Sequence, residues 1–431
     1  MRHPLYTSRV SAAICRETER LLLRLYLLCA LWLFLSRLGI EQGYDIGAHM
    51  EMLNLVTWAD PSVPLRESFY SYHPPLAFLL ARSFHLLGFA EGVAVQILSF
   101  LATLINFFSL RLTLKTFGLL STLPAILFLY LAVAIPLTVF LSTSLNLDVL
   151  ILACASVVLY LSVCLFWNQQ CSSWYALALV ALLAIAMLIK FSGALIFALP
   201  VIVALFSPQK KLRSLRNALV IVILSLALIL PYYVTRYHIP EGTFFPNNAD
   251  WMVGGALADS RMKLREHPLR FFGDLFSSTP VHREQGIEHK DYDVLRLADT
   301  WRDYWLKDQF LGPGAPLSKE IGSVYLLSVP WLLAGGFVLF LRRKNGVWKK
   351  LGWVFLSFSF LQFLAFLAYL IEHPFAGWGP TKAIYIAPTI WGMGYLLSCL
   401  VPPDPPPRKR RVIVGLTATF MVVNYLLPIY A

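Results

Sequence analysis

The chain has 431 residues, of which 58% are hydrophobic and only 14% charged, against roughly 25% charged in an average soluble domain. With a mean hydropathy of +0.65, this excludes a soluble globular, a disordered or a fibrous protein and predicts an all-α polytopic membrane protein. The formal charge of +12 does not imply nucleic-acid binding, because that needs a contiguous basic face and the basic residues here are scattered over short segments between apolar runs.

The N-terminal stretch MRHPLYTSRVSAAICRETER is basic and polar. The apolar run 21–38 follows with no small-residue cleavage site, so it reads as an uncleaved anchor. A ~30 Å hydrocarbon core takes about 20 helical residues, and backbone in lipid must bond within its own segment. The predicted spans are 21–38, 91–110, 118–139, 149–167, 175–189, 191–206, 217–234, 321–340, 351–370, 383–401 and 412–430, about 11 in all. The pair 175–189 and 191–206 flanks LIKFSG and predicts either a tight hairpin or a broken helix. Residues 74–89 are too short to span and carry Arg82 and His85. They predict an amphipathic helix in the outer interface.

Lysine and arginine set the orientation. With the N-terminus inside, the inner segments include Arg111 and Lys115, KKLRSLR, RRKNGVWKK and PPDPPPRKRR. Together with the N-terminal stretch they hold just over half of the 36 basic residues, but only Glu17, Glu19 and Asp404 among the 24 acids. The basic excess is thus explained by topology and anionic lipid. Three regions follow: a membrane module 1–234 with a first outer loop at 39–74, a large outer loop 235–320, and C-terminal membrane helices 321–431. The large loop is too long for a plain connector and is expected to fold over the outer mouth of the bundle. None of the six cysteines forms a CxxC pair, so no zinc or redox motif is present.

Chemistry-bearing residues concentrate on the outer side. The first loop begins GYDIGAHMEM. Asp45 and His49 share a face if that stretch is helical. They are either a solvated interfacial pair or an acid and imidazole able to deprotonate a hydroxyl or hold a metal. The loop closes with Tyr72-His73-Pro74-Pro75-Leu76, where the prolines fix the entry to the next helix and so the place of His73. Asn146 and Asp148 precede the fourth span. Asp148 either caps that helix or lines a polar site. Lys190, between two apolar runs, either snorkels or meets an anionic phosphate. Lys382 and Tyr385 open the tenth span on one face, as interfacial anchors or as a second phosphate contact.

Together, and in this order, these segments resemble the GT-C membrane glycosyltransferases, in particular the protein O-mannosyltransferase-like and aminoarabinose-transferase-like group. The matching pieces are Asp45 in GYDIGAH after the first span, YHPPL, Asn146-Leu147-Asp148, MLIKFSGALIF, and Lys382-Ala-Ile-Tyr385-Ile-Ala-Pro388. They cover residues 20–210 and 370–400. Two positions depart from the pattern: Ile46 stands where many relatives have Glu, and His73 where many have Lys.

The resemblance implies a GT-C-like bundle, and the short loops point to a bacterial inner membrane. It implies inverting transfer of a sugar from a polyprenyl-phosphate-linked donor to a glycan, lipid or protein acceptor on the outer face. Asp45 is then the base, with His49 and Asp148 positioning it or the acceptor. Lys190, Lys382 and Tyr385 are candidates for the donor phosphate, and Tyr44, His73 and Asn146 for positioning. A divalent metal on Asp45, His49 and His73 is a second way to use the loop. A transporter or flippase of a lipid-linked sugar is the alternative function.

Overall fold

The computed structural model describes the chain except residues 1–8, 41–45, 62, 69–70, 145, 147, 169–172, 209–210, 245–253, 277–296, 298–300, 302–315, 345, 375–386 and 431. The described residues are helical, with no strand among them. The helices are α1 (Arg9–Arg37), α2 (Ile46–Leu55), α3 (Leu76–Leu86), α4 (Glu91–Thr116), α5 (Leu123–Ala134), α6 (Pro136–Leu141), α7 (Asp148–Phe166), α8 (Ser173–Ile189), α9 (Ala198–Leu205), α10 (Lys211–Tyr233), α11 (Gly254–Glu266), α12 (Pro268–Leu275), α13 (Pro316–Arg342), α14 (Val347–Glu372), α15 (Ile390–Cys399) and α16 (Pro407–Tyr430).

Four described helices are long and apolar enough to cross a membrane unaided: α4, α7, the continuous Lys211–Glu241 and α14. The other expected spans are shorter, broken or charge-bearing elements, so the total of 11 goes beyond these four. The run 118–139 is not one helix. Ile135 is extended (φ −59°, ψ 134°), because the residue before a proline is pushed out of the helical region, and Pro136 starts a new helix. Helix α1 begins well before the apolar run, and the helical path of α10 continues beyond Tyr233 to Glu241. The stretch 74–89 forms α3, whose 11 residues are too short to span, as expected. Residues 235–320, expected as a large outer loop, include α11 and α12.

The alternative left open around LIKFSG resolves as a hairpin. Helix α8 stops at Ile189. Lys190 is extended (φ −161°, ψ 150°), and a 3-10 turn over Phe191–Phe197 leads into α9. Gly193 lies so close to α8 that a Cβ there would fall on the Ala186 carbonyl. The far ends of the hairpin return to α7: Trp167 Nε1 donates to the Val203 carbonyl at 2.8 Å and Ser207 Oγ to Phe166 O at 2.7 Å.

Helix α4 packs along α7, α7 against α8 and α9, and α10 covers the α8–α9 hairpin. Helix α5 packs on α15, and α1 on α16. Tyr26, Tyr130, Trp391 and Tyr395 are fully buried between them. Cys15, Cys29, Cys154, Cys164 and Cys399 are buried free thiols; Cys171 lies outside the described residues.

The bundle has two chemically distinct ends. At one, Arg111 pairs with the buried Glu19 at 2.7 Å, Arg343 donates to the carbonyls of Cys399 and Val401, and Arg410 pairs with Asp404 at 2.7 Å. This basic end holds the start of α14 and the ends of α4, α9, α13 and α15. The other end holds the start of α7 and the turn at Lys190.

Candidate functional site

The site end is organised by α4. Gln96, buried in the helix's second turn, accepts a hydrogen bond from Gly39 N at 2.8 Å. It donates to the carbonyls of Arg37 at 3.0 Å and Ile40 at 2.7 Å. Its amide also reaches Thr143 O at 3.4 Å, and Ser99 Oγ donates to Ser144 O at 2.8 Å. Buried backbone groups must find partners. Here one helix face satisfies both the chain leaving α1 and the chain approaching α7.

At the start of α7 two roles separate. Asn146 Oδ1 accepts from Asp148 N at 2.7 Å, an Asx turn that satisfies one of the helix's orphan donors. The Asp148 carboxylate is thereby released from capping. It accepts two hydrogen bonds from Lys190 Nζ, both at 2.9 Å, with side chains only 7% and 13% exposed. Lys190 does not snorkel. Its extended backbone, at the break between α8 and the 3-10 turn, aims the ammonium back at α7. The N-terminal end of α7 also favours a carboxylate in its first turn. Breaking such a buried pair by removing one partner costs about 3–5 kcal/mol.

His73 completes the described cluster. It is buried, and its ring lies 4.2 Å from that of Tyr72 and 6.1 Å from that of Phe191, the residue after Lys190. Burial holds its pKa well below the ordinary 6.5, and the charges of Lys190 and His49 push in the same direction. The imidazole is therefore neutral near pH 7 and can accept a hydrogen bond. His49, on α2, is buried with its ring 5.9 Å from that of Phe78. On the same helix, Glu51 accepts from Ser68 Oγ at 2.8 Å.

The structure thus brings together His73, Asn146, Asp148 and Lys190, with His49 near enough to act on His73. Tyr44, Asp45, Lys382 and Tyr385 lie outside the described residues. Among the described residues no group of three His, Cys, Asp or Glu side chains is placed to hold a metal ion.

Three contributors were not singled out in the sequence. Gln96 and Ser99 sit in an apolar run, and a buried polar residue there was itself the signal, since such groups are costly without partners. Arg236 follows the predicted span 217–234 and reads as an ordinary flanking charge. Its guanidinium donates to the backbone of the first loop, reaching Val63 O and, at 3.1 Å, Ser71 O.

Residues 72–234 match the family described as dolichyl-phosphate-mannose-protein mannosyltransferase. His73, Asn146, Asp148 and Lys190 all fall within that segment. The match supports the resemblance to GT-C membrane glycosyltransferases drawn from the motifs. No curated protein matches the chain significantly. Among solved structures the chain is similar to ArnT from Cupriavidus metallidurans. It is 14% identical to the apo form and 15% to the form bound to undecaprenyl phosphate. In each case the alignment covers 94% of this chain and 77% of the other, with a TM-score of 0.41.

Proposed function

We propose that this chain is a GT-C-type glycosyltransferase, moving a sugar from a polyprenyl-phosphate-linked donor to a glycan, lipid or protein acceptor on the outer face of the membrane. The observation that carries this reading is the buried Lys190–Asp148 pair beside a neutral His73. All three lie inside the segment similar to a dolichyl-phosphate-mannose transferase family. They also lie at the end of the bundle opposite the basic one.

The acceptor oxygen attacks the anomeric carbon opposite the phosphate. The bond from that carbon to the phosphate oxygen breaks, the polyprenyl phosphate leaves with the electron pair, and the centre inverts. The acceptor proton passes to a base, for which Asp45 is the candidate, with His49 and Tyr44 holding its loop. A hydroxyl is a poor nucleophile near neutral pH, so the base accelerates attack. Negative charge grows on the departing phosphate. A cation fixed beforehand therefore stabilises the transition state more than the ground state. Lys190 is such a cation, and Asp148 holds it. Lys382 and Tyr385 are proposed as further phosphate contacts.

The test uses the full-length protein purified in detergent, with a panel of labelled polyprenyl-phosphate sugars and a membrane-extract acceptor. Wild type is expected to label the acceptor and release polyprenyl phosphate. Lys190→Met and Asp45→Asn should each lower kcat by about 100-fold or more. Undiminished turnover in both variants would sink the assigned chemistry. A wild type that transfers nothing in detergent, yet moves the same lipids across sealed vesicles, would be a flippase instead.

A further inference from the structure

The first loop and the Lys190 turn come from opposite parts of the membrane module, yet His73 must face Lys190 for the site to exist. The end of α10 joins them. Pro231 lacks an N–H and disturbs the helix, and the next turn, Val234–His238, is a π turn. Such turns are uncommon and recur at functional sites. Thr235 Oγ1 donates back to Pro231 O at 2.9 Å.

The π turn presents two neighbouring side chains. Tyr237, fully buried, packs its ring 5.3 Å from that of Phe191. One turn earlier, Tyr233 donates its hydroxyl to Met187 O at 2.8 Å. These two contacts bracket Lys190. The other side chain, Arg236, is half-buried and serves two carbonyls from a single nitrogen, Nη2. That nitrogen carries two hydrogens, one for each acceptor. Its acceptors, Val63 and Ser71, are the two ends of one stretch of loop. Ser71 immediately precedes Tyr72-His73 and the rigid Pro74-Pro75. A second tie lies beside the first: Arg66 pairs with Glu241 at 2.9 Å, and its backbone is left-handed (φ 74°). A non-glycine residue is held in that conformation only by its surroundings.

We infer that Arg236 is a positioning residue: it closes the 63–71 stretch and so fixes Tyr72 and His73 against the Lys190 turn. It does so through the backbone of the loop. This inference rests on the transferase reading for its catalytic consequence, but its structural half stands apart.

The experiment compares full-length wild type, Arg236→Gln and Arg236→Lys in detergent by hydrogen–deuterium exchange and by transfer kinetics. In Arg236→Gln, peptides spanning 63–73 should exchange at least ten times faster, while those of α4 and α7 keep wild-type rates. A misplacement of an ångström caused from a distance costs about 100-fold, so kcat should fall by roughly that factor with donor KM changed less than threefold. Arg236→Lys, which keeps the charge but loses the planar fork, should recover part of both. Wild-type exchange at 63–73 would overturn the inference, as would faster exchange with undiminished kcat. Equal loss of protection across α4, α7 and the loop in both variants would also overturn it, by making the role general. Absence of transfer by wild type would strike the functional reading alone, since the exchange measurement does not depend on it.

Discussion

At the residue scale the site opposes two ionisation states within a small space: a charged amine held by a carboxylate, and an imidazole kept neutral. The second has a measurable consequence. The folded pKa of His73 is pushed below 6.5, chiefly by burial. As pH falls past 6.5 the unfolded chain takes up the proton first. Stability is therefore lost with falling pH, by up to about 1.4 kcal/mol per pH unit, until folded His73 itself protonates. Thermal unfolding in detergent should show wild type losing stability from pH 7 to pH 5 more steeply than His73→Gln. Equal slopes would mean that His73 titrates normally. The sequence places His73 at a rigid entry set by the two prolines and leaves Lys190 either snorkelling or meeting a phosphate. It does not show that the lysine's partner lies 42 residues earlier. Asn146 and Asp148 illustrate the limit well. Either can cap α7 by residue type, and only the three-dimensional fold shows the amide doing so while the carboxylate turns to Lys190.

At the element scale the Lys190 turn depends on how tightly α8 and the following 3-10 turn approach. Gly193 permits that approach, since any Cβ there would meet the Ala186 carbonyl. Backbone cannot yield as a flexible side chain does, so Gly193→Ala should force the turn outward, at about the 1–3 kcal/mol typical of overpacking. Its melting temperature should drop, and transfer should fall further than stability alone requires because Lys190 moves off Asp148. Ser192→Ala, at the neighbouring position, serves as the reference. Equal melting temperature and turnover for Gly193→Ala and wild type would refute the close-packing argument. The apolar runs marked most helices correctly because lipid-facing and core-facing helices share one composition. Breaks were harder to place. The one at Pro136 was visible in the sequence, yet it fell inside an apolar run long enough to pass for one span. The continuation past α10 through a π turn leaves no periodic trace, because it inserts one residue just after a run that is apolar all round.

At the scale of the whole molecule, charge and chemistry separate to opposite ends. The arginines on Glu19, Asp404 and the α15 carbonyls mark one end. The Asp148–Lys190 pair marks the other. Positively charged segments stay on the cytoplasmic side during insertion, so we propose that the paired site faces outward and the N-terminus inward. The one sequence element that can reverse this is 74–89, since counting it as a span flips everything downstream. Helix α3 is too short to cross, and its far end leaves Leu87 74% exposed. Leu212, at the start of α10 and the basic end, is 83% exposed. A cysteine at each position, in a cysteine-free background, separates the two topologies. A membrane-impermeant maleimide applied to intact cells should label Leu87→Cys fully and Leu212→Cys only after permeabilisation. The opposite pattern would put the Lys190 turn in the cytoplasm, where an outward-facing transfer reaction has no place. Labelling of both in intact cells would leave an even number of crossings between α3 and α10 and shift the basic segments from KKLRSLR onward outside, against the rule that orients the rest of the chain.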